Sequence, residues 1–180
     1  MLNRVVTAAA LAVGGVLLSK QFNKKRRSGT STVEESIEVN VPVRTAYDQW
    51  TQFEDFPKFM DSVHEVRQLD NRHLHWRAQV AGKEKEWDAE ITEQIPDKRI
   101  AWRSTSGVSN GGVLTFHKIA DNVTRLMLQM EYQPEGAIEQ IGDALGAVRM
   151  EARSNMQRFK DMIEARGRET GAWRGAVSQH

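Results

Sequence analysis

The chain of 180 residues contains no cysteine. Disulfide bonds, thiolate metal sites and cysteine nucleophiles are therefore excluded, although this absence alone assigns no redox compartment. The sequence also has no internal repeat, no glycine-rich phosphate loop between a strand and a helix, and no serine or threonine in a nucleophile motif. It thus lacks the usual signatures of nucleotide binding and of hydrolysis through a covalent intermediate.

Acidic side chains are missing from the first 30 residues, which carry six basic ones. The remaining 150 residues contain 19 basic and 24 acidic side chains. A surface that binds nucleic acid needs an excess of positive charge, so this balance argues against nucleic acid as a partner. A content of 39% hydrophobic and 27% charged residues is typical of a soluble globular domain.

An apolar run of fourteen residues, 5–18, is followed by a basic cluster at 20–27. A secretory signal carries its charge before the apolar region, which disfavours that interpretation. A spanning helix needs about 20 apolar residues, and if this run spans, the positive-inside rule places the basic cluster and the domain after it in the cytoplasm. The run could also form an interfacial anchor on anionic lipid, or a leader without a membrane role. We favour a membrane anchor in residues 1–27, then a linker at 28–32 and a cytoplasmic domain.

A long amphipathic helix is predicted for residues 137–166. Its apolar residues recur every three or four positions and therefore lie on one face that must be covered. They are Ile138, Ile141, Leu145, Val148, Ala152, Met156, Phe159 and Ile163. No second helix of this length precedes it, so we expect a sheet to cover the apolar face.

Period-two alternation predicts a strand at 33–41, and helical spacing predicts short helices at 43–51 and 53–60. Six further strands are predicted between residues 63 and 132. In the clearest of them, Trp87, Ala89, Ile91 and Ile95 are expected to share one face. The predicted fold class is α+β, with a curved antiparallel sheet wrapped around the long helix in a domain of residues 33–166. Residues 167–180 are expected to form a flexible tail outside the core.

Several segments carry a resemblance to known proteins. They are Pro42, Phe53–Met60, Glu86–Glu93, Arg99–Arg103, Met130–Gly136 and Phe159–Glu164. Together they resemble the START-like (SRPBCC) superfamily, and within it bacterial polyketide cyclase/dehydrase and coenzyme Q-binding START-domain proteins. The resemblance implies a helix-grip, Bet v 1-like fold with a hydrophobic cavity between the sheet and the long helix. In that superfamily such cavities hold lipids, quinones, hormones or polyketides, and a minority of members are catalytic.

Large apolar side chains on the predicted inner face of the sheet, opposite small residues on the helix, indicate a ligand-binding cavity. Glycines at helix positions 142 and 146 either keep this space open or allow close packing, and we favour the open pocket. The candidate ligand-binding residues are Trp76, Trp87, Trp102, Phe116, Leu128, Met130, Tyr132, Ile141, Gly142, Leu145, Gly146 and Arg149.

The favoured function is non-catalytic binding of a hydrophobic small molecule, such as a lipid, quinone or polyketide, near a membrane. The alternative is a cyclase or dehydrase in which Tyr132, His117 or Arg103 donates protons or orients the substrate. A third possibility is an interaction module with a filled core. No cofactor is predicted. No metal site is predicted either, because His73 and His75 share a strand face with charged neighbours and lack a third ligand.

Overall fold

The computed structural model describes the backbone of residues 31–133 and 138–178, and their side chains except those of 138–143. The folded unit contains seven strands, two α-helices and one 3₁₀ helix within these residues. In chain order they are β1 (Ser31–Val39), α1 (Val43–Trp50), the 3₁₀ helix (Phe53–Lys58), β2 (Val63–Gln68), β3 (His73–Val80), β4 (Lys83–Ile95), β5 (Arg99–Ser104), β6 (Asn110–Ala120), β7 (Val123–Tyr132) and α2 (Ile138–Arg166).

The seven strands form one sheet in the order β1-β7-β6-β5-β4-β3-β2. Every neighbouring pair is antiparallel. Consecutive strands from β2 to β7 are joined as a meander, and β1 closes the order beside β7. This curved antiparallel sheet and the long helix α2 confirm the predicted helix-grip fold.

The alternation of inner and outer side chains in β4 changes after Ile91. A bulge between Ile91 and Glu93 shifts the register against β5, and an extra residue in a strand reverses the faces of the residues after it. As a result Gln94 is buried at 1% exposure, whereas Ile95 is 37% exposed. The expectation that Ile95 shares the inner face with Trp87 is therefore wrong.

The C-terminal half of helix α2 packs against the core. Ala152, Met156, Phe159 and Ile163 are buried at spacings of four, three and four residues, as the periodicity predicted. Nearer the start of the helix, Met150 is 74% exposed. Among the described side chains of α2, the fully buried ones therefore all lie in its last four turns.

Four aromatic side chains between α1 and β2 form an aromatic lid, which we define as Trp50, Phe53, Phe56 and Phe59. The lid is held to α2 because the ring of Trp50 lies 4.8 Å from that of Phe159, in an edge-on arrangement. It also reaches the sheet, since the rings of Phe56 and Trp76 are 5.6 Å apart. This cluster connects both walls of the core.

The structure corrects the prediction of a flexible tail. Residues 167–178 run back along the domain, and Val177 forms an antiparallel bridge with Gln94 through hydrogen bonds of 2.8 and 3.0 Å. Val177 is buried in the core, and the backbone N–H of Trp173 donates to the Thr51 hydroxyl. The folded unit therefore extends well beyond residue 166.

The segment predicted to anchor the protein, residues 1–27, lies outside the described residues. Of the helices in 31–133 and 138–178, none is long and apolar enough to span a membrane. Ser31 and Thr32, which were expected to end the linker, are the first residues of β1.

Candidate functional site

An apolar cavity of about 200 Å³ lies between the inner face of the sheet, the aromatic lid and α2, and is partly open to the surface. Apolar side chains dominate its walls. A concave apolar space with a few polar groups at its edge is the usual form of a small-molecule site.

The sheet wall contains three tryptophans on neighbouring strands. Trp76 and Trp87 are cross-strand partners of β3 and β4, and their indole rings stack with centroids 5.6 Å apart and planes only 8° from parallel. Trp102 on β5 has space for its ring because its partner on β6 is Gly112. A Cβ atom on Gly112 would approach the Trp102 ring to 2.6 Å. The tryptophan wall thus depends on a glycine in the adjacent strand.

The opposite walls come from the lid and from α2. Trp50, Phe53 and Phe56 contribute three of the lid's rings. From α2, Ala152 and Met156 face the cavity, and the small side chain of Ala152 leaves room opposite the tryptophans. Together these groups and the tryptophans enclose the cavity, with aromatic side chains on the sheet side and on the lid side.

Six polar side chains line the cavity, and all of them are partly or fully exposed, so they mark its rim. The Ser62 hydroxyl donates a hydrogen bond to the Glu151 carboxylate, and the Ser62 carbonyl accepts one from the Gln79 backbone N–H at 2.8 Å. We call this set the polar rim. Its members are Ser62, Gln79, Asn110, Tyr132, Glu151 and Asn155.

Half of the candidate ligand-binding residues line this cavity, and they all come from the sheet. Strand alternation had assigned these side chains to the inner face of the sheet, and that face forms one wall of the cavity. They are Trp76, Trp87, Trp102, Leu128, Met130 and Tyr132.

Four other candidates lie elsewhere. Phe116 fills the core edge-on against Tyr47, with ring centroids 5.2 Å apart. Leu145 packs against the core but is not part of the cavity wall. Gly146 and Arg149 are exposed, and a Cβ atom on Gly146 would meet none of the described atoms within 4 Å. These placements correct the helix side of the predicted pocket, while the side chains of positions 141 and 142 lie outside the described residues.

The list of candidate ligand-binding residues left out the lid and the part of α2 that borders the cavity. The three-residue spacing of the phenylalanines at 53, 56 and 59 indicated a compact helical lid, but it did not show that the lid borders the cavity. On α2, the apolar stripe already included Ala152 and Met156. Glu151 and Asn155 flank that stripe, but no sequence pattern distinguished them from ordinary surface residues.

Two of the three residues considered as proton donors lie away from the cavity. His117 alternates with Phe116 on β6 and therefore faces the outer side of the sheet, where its Nε2 lies 2.8 Å from the Thr115 hydroxyl. Burial, with a smaller contribution from the Arg125 charge, lowers the pKa of His117. Arg103 also faces outward and pairs with Glu90 at 3.1 Å. Only Tyr132 reaches the cavity.

The paired histidines of β3 each contact a carboxylate. Nδ1 of His73 lies 2.8 Å from Asp70, and Nδ1 of His75 lies 2.7 Å from Asp88. In the part of the chain that the structure describes, no group of three or more histidine and acidic side chains is arranged to hold a metal ion.

Comparison with known proteins places the chain in a family. A family model described as polyketide cyclase/dehydrase and lipid transport matches residues 39–161, which is more than half of the chain. An uncharacterized 17.2 kDa protein of Streptomyces lincolnensis is 53% identical over 148 residues, which are 82% of this chain and 99% of that protein.

Solved structures share the fold. The Zhui aromatase/cyclase from a Streptomyces species has a TM-score of 0.68 at 16% identity, over 80% of this chain and 99% of that one. A START superfamily protein from Mycobacterium smegmatis has a TM-score of 0.59 at 13% identity, over 75% of this chain and 95% of that one. A Deinococcus radiodurans protein has a TM-score of 0.60 at 24% identity, over 75% and 98% of the two chains. The family model, which matches more than half of the chain, and the relative of 53% identity together show that this chain belongs to the polyketide cyclase/dehydrase and lipid-transport family.

Proposed function

We propose that the domain is a non-catalytic carrier or sensor of an apolar small molecule that binds in the tryptophan-lined cavity. The observation that carries this proposal is the cavity itself, with three tryptophans on the sheet side and the aromatic lid on the other. Aromatic rings provide large apolar contact areas and favour stacked or edge-on ligand rings. The family description, which includes lipid transport, supports the same class of ligand.

The volume of the cavity limits the size of the ligand. An apolar cavity of about 150 Å³ holds benzene, so a volume of about 200 Å³ fits a body of one or two rings. A longer molecule, such as a quinone with an isoprenoid tail, would place its ring inside and leave its tail at the partly open mouth. We therefore favour a ring-containing ligand over a fully enclosed acyl chain.

The positions of the candidate proton donors favour binding over catalysis, because His117 and Arg103 lie on the outer face of the sheet. A cyclase or dehydrase remains the second candidate, since Tyr132 lies on the polar rim and the Zhui aromatase/cyclase has the same fold. Incubation with a poly-β-ketone thioester separates the two candidates. Formation of an aromatic product that Tyr132→Phe abolishes would support the enzyme.

Membrane association through residues 1–27 is part of the proposal and is supported by their sequence. Apolar ligands partition into membranes, so an anchored carrier would meet them there. In this arrangement the START-like domain lies in the cytoplasm.

Binding is tested with naphthalene-based probes and intrinsic tryptophan fluorescence, because four of the five tryptophans line the cavity. The full chain should bind the probe saturably. Ala152→Phe places a ring in the cavity and should abolish binding while the circular dichroism spectrum stays unchanged.

Ala147→Phe is the matched control, because Ala147 lies on the exposed side of the same helix. It should bind like the wild type. If the wild type binds no apolar probe, the carrier proposal is wrong. If Ala152→Phe binds normally, the ligand occupies another site.

A further inference from the structure

Charge is distributed very unevenly around the cavity. Among the described residues that line it, Glu151 is the only charged one. The rest are apolar side chains and the neutral members of the polar rim. No lysine or arginine belongs to the described lining.

The Glu151 carboxylate is held in place at the rim. It accepts a hydrogen bond from the Ser62 hydroxyl. The backbone carbonyl of Ser62 in turn accepts a hydrogen bond from the backbone N–H of Gln79 in β3. Asn155 lies one helical turn further along α2, on the same face. The negative charge therefore lies at the edge of the cavity beside neutral hydrogen-bonding groups.

Two described arginines of α2 that follow Glu151, Arg153 and Arg158, are engaged by other acids. Arg153 forms a two-pronged pair with Glu35, with both contacts at 3.1 Å, and Arg158 pairs with Asp61. A carboxylate or phosphate entering the cavity would lose its hydration and meet Glu151 without a compensating cation on the described wall. Both effects disfavour an anion. A hydroxyl can instead donate to the carboxylate, and an ammonium group can pair with it.

We propose that Glu151 makes the cavity selective for ring-containing amphiphiles whose polar group donates hydrogen bonds, namely neutral hydroxyl compounds and amines, and against carboxylates and phosphates. This inference rests on the proposed function, because it concerns the same cavity. It specifies the chemical class of the ligand, which the family match leaves open.

Three probes with the same naphthalene body test the selectivity in the full chain at neutral pH. They are 1-naphthalenemethanol, 1-naphthalenemethylamine and 1-naphthoic acid, which are neutral, cationic and anionic. We expect the alcohol and the amine to bind, and the acid to bind about tenfold more weakly than the alcohol. If none binds, the proposed function fails as well. If all three bind equally, the cavity binds apolar rings but the charge selectivity is wrong.

Glu151→Gln removes the charge and retains an acceptor for Ser62. It should raise the affinity for the acid about tenfold and leave the alcohol nearly unchanged. Asp161→Asn is the matched control, because Asp161 is exposed on the same helix and does not line the cavity. It changes the net charge equally and should leave all three affinities unchanged. An equal gain for the acid in both variants would show a general charge effect and overturn the role of Glu151.

Discussion

Trp76 and Trp87 stack in parallel across β3 and β4, with ring planes 8° apart, whereas all the described aromatic pairs of the lid are tilted or edge-on. The two indoles are cross-strand partners on one face of the sheet, so their rings lie face to face. The lid rings come from the end of α1 and the 3₁₀ helix and meet at steeper angles, which are also favourable for aromatic pairs. Both groups border the cavity.

Replacement of Trp87 by leucine should weaken the binding of a naphthalene probe by about two- to tenfold, because an aromatic contact contributes about 0.5–1.5 kcal/mol beyond the buried area. Isothermal titration calorimetry measures this loss. Trp173→Leu is the control, since Trp173 lies outside the cavity lining. An unchanged affinity in Trp87→Leu would show that the stacked pair is not the binding surface.

Arg174 should stabilise the fold by pairing with Asp48, whose side chain is 1% exposed. The two groups approach to 2.5 Å, and Arg174 also contacts Asp97 at 2.7 Å. Arg174→Met leaves a buried carboxylate poorly paired and should cost about 2–3 kcal/mol at pH 7. Urea denaturation measures the change. Arg44→Met is the control, because Arg44 is 68% exposed and lies 3.5 Å from Asp48, so its loss should cost less than about 1 kcal/mol.

The same variant should change the pH dependence of stability. Burial raises the pKa of the Asp48 carboxyl, and Arg174 opposes this increase. A raised folded-state pKa gives a contribution to stability that is complete below the unfolded-state pKa of about 3.9 and is lost as the pH rises through the folded-state value. Removal of Arg174 enlarges this shift, so the stability difference between variant and wild type should be larger at pH 7 than at pH 4. An equal difference at both pH values would contradict the role of the Asp48 charge.

Much of the fold could be predicted because it rests on periodic patterns. The alternation of β3 and β7 placed Trp76 and Leu128 correctly on the inner face, and the helical stripe identified Met156 and Phe159. The bulge in β4 could not be read from the sequence, because Ile91 and Ile95 still fit a regular period-two pattern. Only pairing with β5 reveals that Gln94, and not Ile95, points inward.

The candidate site was harder to predict on the helix side. A periodic stripe identifies the buried face of α2 but not the turn at which the cavity lies. Gly146 was therefore included among the ligand-binding residues, although it belongs to an exposed stretch. Ala152 was recognised as a small residue that leaves space opposite the sheet, but it was not included among them. The tail was missed for a different reason, since the contacts of Val177 and Arg174 are with residues some 80 to 125 positions earlier in the sequence.

The N-terminal segment should direct the protein to membranes. Full-length protein and a chain starting at Ser31 would be expressed and separated by ultracentrifugation. We expect the full-length protein in the membrane pellet and the shorter one in the supernatant, because residues 1–30 combine an apolar run with six basic side chains. Recovery of both in the supernatant would refute the anchor.

Gly146→Ala should stabilise the domain. Glycine inside a helix costs about 1 kcal/mol relative to alanine, and a Cβ atom at this position meets none of the described atoms within 4 Å. Thermal denaturation should therefore show a higher midpoint, while probe affinity remains unchanged. Reduced affinity would revive the expectation that this glycine keeps the pocket open.

Gly112→Ala should have the opposite effect on stability and should also change binding. Its Cβ atom would lie 2.6 Å from the Trp102 ring and 2.8 Å from the backbone carbonyl oxygen of Gln129. The backbone atom cannot move without disturbing the pairing of β6 with β7, so the indole, which borders the cavity, would have to shift. Overpacking of this kind costs about 1–3 kcal/mol, so the denaturation midpoint should fall. A displaced Trp102 would also reduce the cavity volume, so the affinity for the naphthalene probes should fall more than for a single-ring probe such as benzyl alcohol. Equal losses for both probes would indicate general destabilisation, whereas unchanged stability would show that β6 accommodates the methyl group and that Gly112 does not position the tryptophan wall.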